Sequence, residues 1–310
     1  MNFYKKSKRV FKHLLSQASR VTGVERQGNL LGEIRAGQIM QTPKLECIAD
    51  AEFSVHSQWG EDGIISWLVD VIQPKNNSFV EFGVEDYRES NTRFLLMTRN
   101  WSGLVIDGSQ DNVAAIRKDA ISYKFDLKSV CNFITRDNIA EILKKNGFGG
   151  NLGILSVDID GVDYWVLEAI KNTSDIIIVE YNDHFGPQAC SVPYEASFTR
   201  MDKHKSGIYW GASLQAFSHL LAQRGMTFVG TNRVGTNAFY IRNEHLTKVK
   251  KRLGSFRSWP CKMREARTVD GDLAYKSYAE STALISGLPL IDVTTGEPFL
   301  FGQVKTPRQT

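Results

Sequence analysis

The stretch Phe79-Val-Glu-Phe-Gly-Val-Glu-Asp-Tyr-Arg-Glu-Ser-Asn-Thr92 constrains the fold more than any other part of the chain. Val80 and Phe82 alternate with Glu81 in a short apolar run, Gly83 breaks it, and polar residues follow as far as Thr92, before the apolar Phe94-Leu95-Leu96-Met97. This pattern predicts a strand, a glycine turn, a loop and a helix. Glycine in such a turn lets backbone amides approach a ligand at the carboxyl end of a strand, where open parallel sheets bind their ligands.

Four further apolar runs repeat the theme. Gly103–Ile106 ends in Asp107, Ile121–Phe125 is followed by Asp126, Leu152–Val157 by Asp158, and Asp175–Val179 by Glu180. Helical patterns lie before and between them, at Ile64–Ile72, Ala114–Ile116, Ile134–Leu143 and Val162–Ala169. A helix ending at Gly225 and two strands, Thr227–Gly230 and Asn237–Ile241 around Gly235, close the series. Alternating strand and helix predicts an α/β protein, a Rossmann-like doubly wound sheet with a C-terminal antiparallel hairpin. With 310 residues, 42% of them hydrophobic, the chain can bury a sizeable core. The expected division is a basic extension and linker over 1–52, the Rossmann-like domain over 53–243, and a C-terminal extension over 244–310.

Asp107 stands about 20 residues beyond the glycine turn, the distance at which an acid grips a ribose hydroxyl pair, so the ligand is expected to carry an adenosine. A pyrophosphate is disfavoured. The turn lacks G-x-G-x-x-G, and Glu81, Glu85, Asp86 and Glu89 would repel it, whereas a sulfonium and an amino group would be attracted. S-adenosylmethionine therefore fits better than a dinucleotide. Asp126 is expected to accept from the adenine amino group. Gln58 and Glu61 could reach the cofactor over the sheet edge, with helix capping by Ser57, Glu61 being nearby, the competing use of that segment.

The fourth and fifth strands end in Asp158-Ile-Asp160-Gly-Val-Asp163 and Glu180-Tyr-Asn182-Asp183-His184. Adjacent parallel strands ending in acids bring oxygen donors to one rim. Asp158, Asp160, Glu180 and Asn182 are the candidate ligands, of a kind suited to Mg²⁺, Mn²⁺ or Ca²⁺. A metal there would lower the pKa of a substrate hydroxyl. Asp158 is the first candidate catalytic residue and His184 the protein-side general base. Asp158 or Asp163 capping the next helix is the structural alternative. The segment from His184 to Gly207 is long for a connection and reads as a lid or substrate binder.

A net charge of +4 suits an acidic small molecule or glycan and falls short of a nucleic-acid footprint. The first 23 residues carry six Lys or Arg among Phe3, Phe11, Leu14 and Leu15, as in a basic amphipathic helix that touches a membrane surface or a partner, or as in a solvated extension. Four scattered cysteines without a C-x-x-C pair suggest neither zinc nor a disulfide framework, and point to a cytoplasmic protein, at most peripheral to the inner face of the membrane.

The motifs resemble the FkbM-type branch of class I S-adenosylmethionine-dependent methyltransferases. Ser57-Gln-x-Gly-Glu-Asp62, Phe79-Val-Glu-Phe-Gly83, Ser90-Asn-Thr92, Trp101-Ser-Gly-Leu104 and Leu155-Ser-Val-Asp-Ile-Asp-Gly161 are similar to its landmarks in the same order, over roughly residues 54 to 243. The resemblance implies O-methylation of a glycan or secondary-metabolite hydroxyl, with Glu81, Gly83, Asn91 and Asp107 at the cofactor and Mg²⁺ as an assisting ion. The C-terminal extension is expected to pack on the sheet, to cover the active site or to mediate contacts in a homodimer, and the sequence does not decide among these. The second reading is a non-catalytic scaffold in a polysaccharide or natural-product assembly.

Overall fold

The computed structural model describes residues 23–302. Residues 1–22, to which the expected membrane or partner contact was assigned, lie outside the described residues. The strands are β1 (Ser78–Phe82), β2 (Ser102–Asp107), β3 (Leu127–Cys131), β4 (Leu152–Val157), β5 (Ser174–Glu180), β6 (Cys190–Ser191), β7 (Met226–Thr231), β8 (Asn237–Arg242), β9 (Pro289–Asp292) and β10 (Pro298–Leu300). Seven form a mixed sheet in the order β3-β2-β1-β4-β5-β8-β7, in which β1 to β5 are parallel and β8 is antiparallel to both neighbours. A separate antiparallel sheet has the order β10-β9-β6. The protein is thus an α/β fold with five parallel strands, a helix and a hairpin, as the sequence pattern predicts.

Central parallel strands are covered on both faces, which explains why Leu152–Val157 and Asp175–Val179 read as near-continuous apolar runs. Alternate residues feed two cores. Val80, Leu104, Leu155 and Ile177 pack on one side of the sheet, and Phe79, Val105, Ile154 and Ile178 on the other. The helix Glu61–Ile72 covers the second side with Ile64, Trp67 and Leu68. Its start is built by a carboxylate: Asp62 Oδ2 accepts from the amides of Val55, His56 and Ser57 at 2.6–2.9 Å, while Ser57 Oγ accepts from the Asp62 amide. Glu61 accepts from the Trp59 amide and from Asn232 and Asn237 of the hairpin. The motif Ser57-Gln-x-Gly-Glu-Asp62 is thus a strapping device whose two acids organise backbone.

Three expectations are corrected. Ile121–Lys124 is one helical turn, started by Asp119 Oδ1 accepting from the Ile121 amide, and β3 begins only at Leu127. The apolar spacing of Ile121, Tyr123 and Phe125 mimics a strand, but Tyr123 is exposed. The helix after β3 covers Ile139–Lys145, later than the expected Ile134–Leu143. Residues Val24–Gln41, read as linker, form an 18-residue helix. Its buried side is made of Gly32, Ala36 and Ile39, so the usual apolar period is absent from the face that packs.

The chain after β8 wraps the sheet edge. Thr231 N donates to Arg257 O, Trp259 N to Thr231 Oγ1, and Cys261 N to Asp183 Oδ2, so the segment climbs along β7 to the carboxyl end of the sheet. Among the described residues no helix is long and apolar enough to cross a membrane.

At Gly83 a side chain is excluded twice. Its φ is +70°, and a Cβ would overlap the carbonyl oxygen of Asp158. Gly83→Ala is expected to cost at least about 2 kcal/mol in urea unfolding. Gly37→Ala, on a helix and with open space around its Cβ, should leave stability unchanged or raise it by up to about 1 kcal/mol. Equal midpoints for the two variants would refute the close-approach argument.

Candidate active site

A cavity of about 230 Å³ opens at the carboxyl ends of β1, β2 and β4, lined by Gly83, Glu85, Asp107, Asn132, Phe133 and Asp158 among others. It lies where the strand order reverses between β1 and β4, the position at which open α/β sheets bind ligands.

Glu81, near the end of β1, is buried behind this cavity. Its Oε1 accepts from Asn91 N at 2.7 Å, and its Oε2 accepts from Thr92 N at 3.0 Å and Thr92 Oγ1 at 2.5 Å. Burial pushes the carboxyl up to about 7 although these three donors favour the ionised form. Asn91 also donates through Nδ2 to Ser156 on β4 at 3.1 Å. The first turn is left-handed at Gly83 and again at Glu85 and Tyr87, with φ of 48° and 60°. These two residues adopt the conformation that glycine would adopt there while keeping side chains. Tyr87 is fully buried and its hydroxyl meets Thr92 Oγ1 at 2.9 Å.

Asp107 ties the same turn to β2. Its Oδ2 accepts from Glu85 N at 2.9 Å, and its Oδ1 from Ser109 N at 2.8 Å and Asn112 Nδ2 at 3.0 Å. A carboxylate offers about four acceptor positions, so one remains toward the cavity that Asp107 lines.

The acids at the ends of β4 and β5 come together. Asp158, Asp160 and Glu180 each place a carboxylate oxygen within 4.8 Å of the other two. Burial, then repulsion from Asp160 and Asp163, holds the Asp158 carboxyl well above its ordinary range, and burial followed by the charge of Asp158 does the same to Glu180. Glu180 Oε2 is buried and has no hydrogen-bond partner among the described residues. Arg200 closes the rim from the long connection, pairing with Asp160 and, at 3.2 Å, with Glu265 from the C-terminal segment; its guanidinium stands 5.6 Å from the Trp210 ring. Three oxygen donors on so small a perimeter could hold a hard divalent cation, or could share a proton.

Other candidates stand elsewhere. Asp126 precedes β3, level with the amino end of β2, because the apparent strand before it is the helical turn; the position that sequence spacing assigned to it is taken by Asn132 and Phe133, just beyond β3. Gln58 is exposed in the strap before Glu61. Asn182 is buried, donating to the carbonyls of Ile208 and Trp210 at 2.9 Å and accepting from His184 N at 3.1 Å. His184 stacks on Tyr278 with ring centroids 4.4 Å apart, and its Nδ1 meets Thr282 Oγ1 at 2.7 Å. Burial drives it down to about 4, so it is neutral near pH 7. Asp163 accepts from the amides of Ile159 and Gly161 and shapes the loop that carries Asp158 and Asp160.

Asn132 and Phe133 follow β3, whose run Leu127-Lys-Ser-Val130 has no alternating signal, so the sequence pattern does not point to them. Arg200 and Glu265 had no signal, since a long connection and a distant segment meet only in three dimensions.

Burial raises Asp62 and Asp163 to about 6 and Glu81 to about 7. Over roughly pH 4 to 7 these three carboxyls hold more protons in the folded state than in the unfolded one, so the stability they contribute should fall as pH rises through that window, while the depressed histidines His56 and His184 act the other way. Unfolding midpoints measured at pH 5 and pH 7.5 should differ less for Glu81→Gln than for the parent, and an unchanged difference would show that Glu81 does not carry the effect.

No protein-family model matches the chain, and no curated protein matches it. Solved structures do. A S-adenosylmethionine-dependent methyltransferase from Clostridium acetobutylicum ATCC 824 is 9% identical, with a TM-score of 0.37 over 58% of this chain and 88% of its own. The plantazolicin methyltransferase BamL, solved in complex with a triazolic desmethylPZN analog and SAH, is 13% identical with a TM-score of 0.33 over 52% of this chain and 60% of its own. TehB from Haemophilus influenzae is 10% identical with a TM-score of 0.33 over 57% of this chain and 66% of its own. The match therefore spans less than two thirds of the latter two proteins. Likeness this distant leaves the chemistry to be read from the residues.

Proposed function

We propose that this protein is an S-adenosylmethionine-dependent O-methyltransferase of the FkbM type, acting on a hydroxyl of a sugar, a glycan or a secondary metabolite. The observation that carries this reading is the convergence on one cavity of Asp107 with Asp158 and Asp160, two of the three clustered acids. S-adenosylmethionine, when bound, supplies an electrophilic methyl group on a cationic sulfur. The residues present suit it: the free acceptor position of Asp107 takes a ribose hydroxyl, Phe133 and Asn132 offer a flat apolar face and an amide for a base, and the acids favour a positive charge. Glu81 acts through the loop, holding Asn91 and Thr92 so that the first turn keeps its shape.

Asp158 lies on the cavity, and its ionised form, made a stronger base by burial, is the group we assign to take the proton of the acceptor hydroxyl. Asp158, Asp160 and Glu180 would hold Mg²⁺, whose chemistry would be to acidify a coordinated hydroxyl. His184, packed on Tyr278 and neutral, is given no part in the proton transfer.

A scaffold without catalysis is the second reading. It is favoured by the way Asp107 and the first turn already satisfy one another inside the chain.

Calorimetric titration should show S-adenosylmethionine binding more tightly than NAD, and Asp107→Ala should weaken it by about 10- to 100-fold, the worth of a hydrogen bond to a charged group. Tighter NAD binding would reject the proposal, and binding of neither would favour the scaffold. Asp158→Ala should abolish both methyl transfer and divalent-ion binding. Turnover that persists undiminished in chelator would remove the ion from the proposal and leave the proton transfer to side chains.

A further inference from the structure

A second cavity lies away from the acidic rim, between the helix Val24–Gln41 and the strap that precedes Glu61. It measures about 510 Å³, within the range of small-molecule sites. Its two halves differ in chemistry. Val24, Leu31, Phe53 and Val55 form an apolar wall, and Arg35, Arg88 and Arg93 stand around the remainder with Glu25 as the lining acid. Arg93 is buried and committed to Glu25 at 2.7 Å and to the Tyr87 carbonyl at 2.9 Å. Arg88 is paired with Asp86 at 3.1 Å, outside the lining. Arg35 is exposed and has no carboxylate within ion-pair distance among the described residues. His56 adds no charge, since burial and the nearby Arg93 drive it down to about 3.

The apolar wall continues onto the surface. Val24, Leu30, Leu31 and Ile34 are each at least half exposed and fall on one side of the helix, beside the Gly32, Ala36 and Ile39 face that packs on the protein. An exposed apolar track that runs into a cavity with a surplus of guanidinium groups is costly to leave in water, and it matches a ligand of the same two-part character.

We propose that this cavity binds an amphipathic anion, a hydrocarbon chain bearing a phosphate or carboxylate head, with the chain along Val24, Leu31, Phe53 and Val55 and the head on Arg35 and Arg88. The site is independent of the methyl-transfer reading, because none of its lining residues belongs to the cavity at Asp107. Gly28 offers the means to close it. It lies on the cavity wall in a helix, and a Cβ there would meet Val55 at 3.5 Å, an ordinary contact, so a larger side chain can enter the cavity without strain in the fold.

The test uses the full chain and decyl phosphate below its micelle concentration, measured by calorimetry. One molecule should bind per chain, and inorganic phosphate and decanol should each bind at least about 10-fold more weakly, because each lacks one half of the match. Gly28→Leu should lose decyl phosphate by about 10-fold or more while keeping the parent affinity for S-adenosylmethionine. Arg35→Glu, an exposed change that leaves the core untouched, should lose the preference for decyl phosphate over decanol. Decyl phosphate bound equally by the parent and Gly28→Leu, or decanol bound as well as decyl phosphate, would overturn the proposal. Sedimentation with phosphatidylglycerol vesicles, absent with phosphatidylcholine and lost in Gly28→Leu, would identify a bilayer as the source of the chain; decyl phosphate binding without sedimentation would identify a free amphiphile.

Discussion

The architecture of the site depends on how closely β1 and β4 approach at their carboxyl ends. Gly83 turns against the carbonyl of Asp158 with no room for a side chain, so the first turn and the start of the acidic rim share one wall. From that contact follow the placement of Asp107 across the turn, through Glu85 N, and of Asn91 against Ser156 on β4. Strands pointing the same way would in any case end at one edge of a sheet. It is the glycine contact that turns a shared edge into one cavity.

Electrostatics at this edge are decided by burial more than by hydrogen bonding. Glu81 has three donors at 2.5–3.0 Å and Asp62 three amides at 2.6–2.9 Å, yet desolvation still raises both. A buried carboxylate held this way shapes backbone at a cost that grows with pH. Asp62 Oδ1 and Glu180 Oε2 are both buried without a hydrogen-bond partner among the described residues, but the rim acids differ in what they face, for Asp158, Asp160 and Glu180 lie within reach of one another. Arg200 offsets part of that charge from the outside, and its second partner, Glu265, ties the C-terminal segment to the same rim. Carboxylates used as scaffold face backbone amides, and those of the rim face other carboxylates.

The errors in reading the sequence have physical causes. Asp126 reads as a strand-end acid because Ile121, Tyr123 and Phe125 alternate, but alternation over five residues also fits one helical turn whose middle residue faces water. The helix Val24–Gln41 reads as linker because its packed face is Gly32, Ala36 and Ile39 while most of its large apolar residues are exposed. His184 and Asn182 follow an acidic strand end, and nothing local reveals that the 3-10 turn at Asp183–Phe185 directs them to Tyr278, Thr282 and the 208–210 loop.

Local sequence determined the parallel core, the glycine turn, and the acids at the ends of β1, β2, β4 and β5, because apolar runs buried on both faces and a residue with free φ leave a periodic trace that short windows carry. Tertiary structure alone decided the rest. Which carboxylates meet, that Arg200 and Glu265 join them from opposite directions, that the C-terminal segment climbs the sheet edge, and that a second cavity opens beneath the N-terminal helix all depend on contacts between residues tens to hundreds of positions apart. Such contacts are set by packing and strand order, and a chain read in one dimension holds no local record of them.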